Sequence, residues 1–131
     1  MTRPVFVYGT LLLPQVQERV CGRAFPSRPA SLHGYRRGFV AGQSYPSLSP
    51  CPGASVEGLL LEEVDASSLV RLDRYEGDRY ERISVRTEGV EAWAWQLSSE
   101  WQHLVTEEPW CLDRFVEESL AEFLEGYEGL A

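Results

Sequence analysis

At 131 residues, with 44% hydrophobic content and a formal net charge of −8, the chain has the size of one domain, residues 1–131, with a buried core. All twelve cationic residues are arginine, which excludes Schiff-base catalysis and a phosphate-loop lysine, and the acidic balance without a basic stripe argues against nucleic-acid binding. No apolar run approaches the ~20 residues of a membrane span and no signal-peptide pattern opens the sequence, so no membrane association and a cytoplasmic location are expected.

Val5-Phe6-Val7-Tyr8-Gly9-Thr10-Leu11-Leu12 comes first in the chain. It reads as a buried strand ending on a glycine, where the backbone turns in a way a side chain would obstruct. Beyond Gly9 the amides of Thr10 and Leu11 are free to face a pocket, and buried donors need partners. The same residues also suit a core strand with an ordinary turn. Pro14 is placed to open a helix containing Val16 and Val20, closed by Gly22.

Residues 23–30 read as a loop, 31–40 as one or two bent strands around Gly34 and Gly38, and 42–53 as a proline-rich loop. Val56–Leu61 is a second buried-strand candidate. Asp65 caps a predicted helix from Ala66 to about Tyr75, with Gly77 at its end. Residues 80–97 alternate as a β-hairpin around Glu88-Gly89, with Ile83 and Val85 on one face. Residues 98–110 read as irregular. Asp113 is placed to cap a last helix whose apolar positions are Val116, Leu120, Phe123, Leu124 and Tyr127. Strands interleaved with short helices, without a βαβ rhythm, indicate an α+β fold with a mixed sheet.

The most informative position is Glu76. On a helix, Leu69, Leu72 and Glu76 share one face, so burying the leucines carries the carboxyl group inward. Desolvation favours its neutral form and moves its pKa toward the range of a general base. Pairing with Arg79 or Arg82, or exposure at a frayed helix end, accounts for the spacing equally well. Asp73, three residues earlier, is a candidate partner in an acid/base pair.

Other constellations are weaker. Glu62 and Glu63 point to opposite faces of a strand. Gly42-Gln43-Ser44-Tyr45-Pro46 lacks the second glycine of a nucleophile elbow. Cys21, Cys51 and Cys111 are odd in number and widely spaced, which suits reduced thiols rather than a disulfide framework. A thiol hydrolase using Cys51 or Cys111 would need His33 or His103 nearby in space. Nothing in the spacing suggests a metal site.

Four blocks occur in order: Val7-Tyr8-Gly9-Thr10-Leu11, Tyr45-Pro46-Ser47-Leu48, Val56-Glu57-Gly58-Leu59, and Leu72-Asp73-Arg74-Tyr75-Glu76-Gly77 followed by Tyr80 and Arg82. Together they resemble the γ-glutamylcyclotransferase-like family, in its AIG2-like branch, over roughly residues 5–97. The resemblance implies a small mixed β-barrel with flanking short helices. It implies a cavity lined by Tyr8, Gly9, Thr10 and Leu11, with Tyr80 also substrate-binding and Glu76 as catalytic general acid/base. Trp95 stands nearest to where many members carry a pocket tyrosine; an indole donates but does not accept.

The activity implied is cyclisation of a small γ-glutamyl amine or γ-glutamyl amino acid to 5-oxoproline, by a monomer or homodimer. That reaction calls for no cofactor, metal or covalent intermediate. The alternative is a non-catalytic domain of the same fold that binds a small carboxylate.

Overall fold

A computed structural model describes residues 3–126. The elements are β1 (Val5–Val7), a short 3-10 helix (Thr10–Leu12), α1 (Pro14–Cys21), β2 (Ser27–Val40), β3 (Pro46–Leu61), α2 (Ala66–Glu76), β4 (Tyr80–Thr87) and β5 (Val90–Leu97). A second 3-10 helix (Gln102–Leu104), β6 (Val105–Pro109), α3 (Leu112–Glu118) and α4 (Leu120–Gly126) follow. The strands form one mixed sheet in the order β4-β5-β1-β3-β2-β6. β1 runs antiparallel to β3 and parallel to β5; the remaining pairs are antiparallel. The sheet curls into a half-barrel. Its β4 end approaches β2 through side chains, with the Thr87 hydroxyl donating to the Ser31 carbonyl at 2.7 Å.

β1 is apolar throughout because both of its faces are covered. Val5 and Val7 pack outward against α1 and α2 with Val16, Val20, Leu61 and Leu72. Phe6 and Tyr8 point into the half-barrel with Leu32, Leu48, Leu60 and Ala94. A strand buried on two sides reads as a continuous apolar run rather than an alternation. Burying Phe6, Leu60 and Leu72, all at 0% exposure, stabilises the fold by about 1.5–3 kcal/mol per side chain.

Several local expectations hold. α1 ends on Gly22 in the left-handed region, at φ 81°. The Asp65 side chain caps α2 by accepting from the Ser68 amide at 3.3 Å. Glu88 and Gly89, both at positive φ, turn the β4–β5 hairpin, and Val85 is buried beside Ile83.

Three readings of irregular structure are corrected. Residues 27–30 belong to β2 rather than to a loop. Pro29 pairs with Leu59 on one side only, and a proline on a free edge leaves no ladder bond unmade. Within β2, residues 31–40 form one bent strand, as the sequence allowed, with Gly34 at φ 88° at a register shift between His33 and Tyr35. β3 takes in most of the predicted 42–53 loop, because Pro46–Pro50 pairs with the end of β2 rather than with a central strand. Residues 98–110 contain β6, which adds the sheet's last strand beside Val40.

The predicted final helix is two helices broken at Ser119. Cys111, not Asp113, occupies the first N-cap, and Asp113 sits in the first turn. Phe115 is buried there and Val116 is exposed. Tyr127 lies outside the described residues.

Gly58 is where β1 and β3 approach most closely: a Cβ there would collide with the Val7 carbonyl and sit 2.8 Å from the Phe6 ring. Gly58→Ala is therefore expected to destabilise the fold by about 1–3 kcal/mol through overpacking, read as a lowered denaturant midpoint at unchanged slope.

Candidate active site

The turn after β1 and the end of α2 open onto one cavity of about 200 Å³, the scale of a small metabolite rather than a drug-sized ligand. Tyr8, Gly9, Thr10 and Leu11 form one wall, and Tyr75, Glu76, Tyr80 and Trp95 form another. Tyr45, Pro46, Phe6, Val7 and Phe123 complete the lining. The seven residues that the resemblance implied for the site thus line one cavity, whereas Asp73 is not among the lining residues.

The two walls are joined directly. Thr10 Oγ1 and the Tyr75 hydroxyl share a hydrogen bond of 2.6 Å, tying the turn to α2 beside Glu76. Gly9 is required by proximity, because a Cβ there would lie 2.9 Å from the Pro46 ring. In the 3-10 helix the first backbone bonds run from Leu12 to Gly9 and from Leu13 to Thr10. The amides of Gly9, Thr10 and Leu11 thus precede the helical ladder, and no acceptor among the described residues takes them.

α2 carries Glu76 into this space as its period requires. Leu72 is fully buried, Leu69 packs partly against the same cluster, and Glu76 follows on that face. Neither proposed arginine partner neutralises it. Arg82 pairs with Asp73 at 3.4 Å, and Arg79 lies over the Trp101 ring at 4.3 Å. Burial pushes the Glu76 carboxyl up to about 8, with the Asp73 charge adding to the effect. Burial also raises Tyr8 and Tyr80, and the nearby Glu76 charge reinforces both shifts, so the phenols stay neutral near pH 7.

The hydrogen-bond roles around the cavity are fixed by partners outside it. The Tyr8 hydroxyl donates to the Trp95 carbonyl at 2.5 Å, and the Tyr80 hydroxyl donates to the Pro46 carbonyl at 2.9 Å. With their hydrogens engaged, both oxygens are left as acceptors. Trp95 Nε1 donates to Asp73 Oδ1 at 3.0 Å, so the indole offers the cavity an apolar face. Asp73 is consequently a brace between α2 and β5, held by Arg82 and Trp95, rather than Glu76's partner in proton transfer.

Sequence reasoning did not assign Tyr45, Pro46, Tyr75 or Phe123 to the site. Tyr45 and Pro46 were visible as a family block, whereas Phe123 comes from the last helix and carried no local signal. Glu62 pairs with Arg28 at 2.8 Å, and among the described residues the hydrogen bond of Cys21 goes to the Ser68 carbonyl and none joins Cys51 or Cys111 to a histidine. Among the described residues no group of three His, Cys, Asp or Glu side chains is placed to hold a metal, and no helix is long and apolar enough to cross a membrane.

The family model for γ-glutamyl cyclotransferase, AIG2-like, matches residues 5–112, and the chain belongs to that family. Protein AIG2 C of Arabidopsis thaliana is 37% identical over 81 residues, which is 62% of this chain and 49% of that protein. Protein AIG2 B of the same plant is 29% identical over 136 residues, 91% of this chain and 78% of that protein. The chain thus spans about half the length of the curated relatives AIG2 C and AIG2-like protein A, at 49% of each.

Among solved structures, an Arabidopsis thaliana protein (At3g28950.1) superposes with a TM-score of 0.69 at 26% identity, covering 94% of this chain and 78% of that one. A gamma-glutamyl cyclotransferase superposes at 0.53 with 15% identity, covering 98% and 89%, which is a likeness of fold.

The raised Glu76 carboxyl has a stability consequence with a definite sign. A group whose pKa is higher folded than unfolded contributes stability below its unfolded value, near 4.5, and loses it as pH rises through about 8. Wild type is therefore expected to lose stability relative to Glu76→Gln across that window in chemical unfolding at a series of pH values. Asp73→Asn removes a charge that raises Glu76, so its carboxyl titration, followed by NMR, should move down while staying above the ordinary 4.5.

Proposed function

We propose that this domain cyclises a γ-glutamyl amine or γ-glutamyl amino acid to 5-oxoproline, releasing the amine, with Glu76 as general acid/base. The observation that carries the reading is the division of the cavity. One wall carries the unpartnered amides of Gly9–Leu11 beside the Tyr8 oxygen, and the other carries a carboxyl group of raised pKa and the Tyr80 oxygen, both phenols being left as acceptors. A γ-glutamyl group needs both: donors for its carboxylate or developing oxyanion, and acceptors for its α-ammonium group.

In this reaction Glu76 takes a proton from the α-ammonium group. The freed nitrogen attacks the substrate's own γ-carbonyl carbon and closes a five-membered lactam. The carbonyl oxygen carries negative charge until the carbon–nitrogen bond to the leaving amine breaks. Glu76 then gives its proton to that amine as it leaves, and the ring nitrogen's second proton passes through Glu76 to the freed amine, which departs as an ammonium, so protons and electrons balance without a covalent enzyme intermediate. A pKa near 8 brings the carboxyl group closer to the amines it exchanges protons with, which suits a shuttle better than an ordinary glutamate would. Folding the substrate so that its ends meet contributes about 7–11 kcal/mol where alignment is good. Amides preorganised toward the oxyanion lower the barrier further.

One observation favours a second reading, a carboxylate-binding domain without turnover. Trp95 has its only donor engaged by Asp73, so it brings no polar group to the cavity. That reading predicts binding of 5-oxoproline and no product from any γ-glutamyl compound.

The two separate on a direct assay of 5-oxoproline formation from a panel of γ-glutamyl amines and γ-glutamyl amino acids. Wild type is expected to turn over at least one of them, with kcat/KM falling as pH drops below about 8. Glu76→Gln should lose about 10²–10⁴-fold in kcat. Equal turnover by the variant would remove Glu76 from the mechanism.

A further inference from the structure

The Tyr8–Gly9 peptide lies where β1 gives way to the turn, and its two polar ends meet different surroundings. On one side the Tyr8 carbonyl accepts from Arg37 Nη1 at 2.7 Å. Arg37 stands on β2 opposite Leu48, does not line the cavity, and rests its guanidinium over the Trp110 ring at 5.4 Å. In a trans peptide the C=O and N–H lie in one plane and point to opposite sides. Fixing the oxygen therefore fixes the hydrogen. The Gly9 N–H leaves on the side away from Arg37, where Gly9 lines the cavity and no acceptor among the described residues takes it.

The charge balance makes this peptide matter. No arginine or histidine is among the cavity-lining residues, and the chain has no lysine. An anionic ligand there meets no cationic side chain among the described residues, and Glu76 is the one ionisable carboxyl group that they bring to the lining. A charge-assisted bond to the carbonyl polarises the whole peptide and strengthens its N–H as a donor.

Resting on the reading that the cavity accepts a γ-glutamyl carboxylate, we infer that Arg37 is a positioning residue. It turns the Gly9 N–H into the cavity as a donor to that carboxylate and conveys positive charge to it from behind the wall.

Calorimetric binding of 5-oxoproline and of its neutral carboxamide tests this in wild type, Arg37→Gln and Arg37→Met. Wild type is expected to prefer the acid. Arg37→Met should weaken acid binding by roughly tenfold or more while leaving carboxamide affinity within about twofold. Arg37→Gln keeps a donor of similar reach without the charge and should lose part of the preference; it carries the same comparison if Arg37→Met does not fold.

A preference unchanged in the variants overturns the inference, as does an equal fall for both ligands or a wild type that prefers neither. Turnover is measured separately. A wild type that makes no 5-oxoproline but shows the Arg37-dependent preference loses the cyclisation reading and keeps this one.

Discussion

Seating α2 on the sheet through Leu72 is the constraint from which the site follows. Leu72 is fully buried, and a helix cannot bury that residue and the neighbouring Leu69 without carrying Glu76, four residues beyond Leu72, to the same side. The free energy of apolar burial thereby places a carboxyl group where it is poorly hydrated. Its desolvation is relieved by protonation rather than by an ion pair, since Asp73 attracts Arg82 and Glu76 attracts no arginine. A structural ion pair there would have held Glu76 ionised at neutral pH and far from the pKa of an amine.

The opposite wall is set by equally local physics. β1 is short and central, with both faces packed, so the chain leaves the sheet abruptly at Tyr8. Gly9 passes within contact distance of Pro46, and the chain then enters a single 3-10 turn. That geometry leaves consecutive amides outside any ladder, in a turn that lines the same cavity as Glu76. The bond between Thr10 and Tyr75 locks the two walls together, and the bonds from Tyr8 to Trp95 and from Tyr80 to Pro46 settle which phenols can donate. Unpartnered amides on one side and the Glu76 carboxyl group on the other result, without a cationic side chain in the lining.

The edges of the sheet were the least legible part of the fold. Prolines at positions 29, 46 and 50 argued for loops, yet they sit in β2 and β3 where a strand lacks a second neighbour and a missing N–H leaves no ladder bond unmade. The final helix was misread for a related reason. Its apolar period continues across Ser119, and only packing shows that Phe115 is buried, Val116 is exposed and the axis breaks at Ser119.

The sequence by itself determined the central strand, the glycine turn, the capped helix with Glu76 on its buried face, and the β4–β5 hairpin. All of these rest on interactions among residues close in the chain: alternation, a helical period, a capping side chain, a two-residue turn. Tertiary structure alone decided that Asp73 braces Trp95, that the Trp95 indole N–H is given to Asp73 while its apolar face lines the cavity, and that Arg37 reaches across 29 positions to hold the Tyr8 carbonyl. Those arrangements depend on which strands lie side by side in the curled sheet, and no local pattern encodes the sum of long-range packing that settles it.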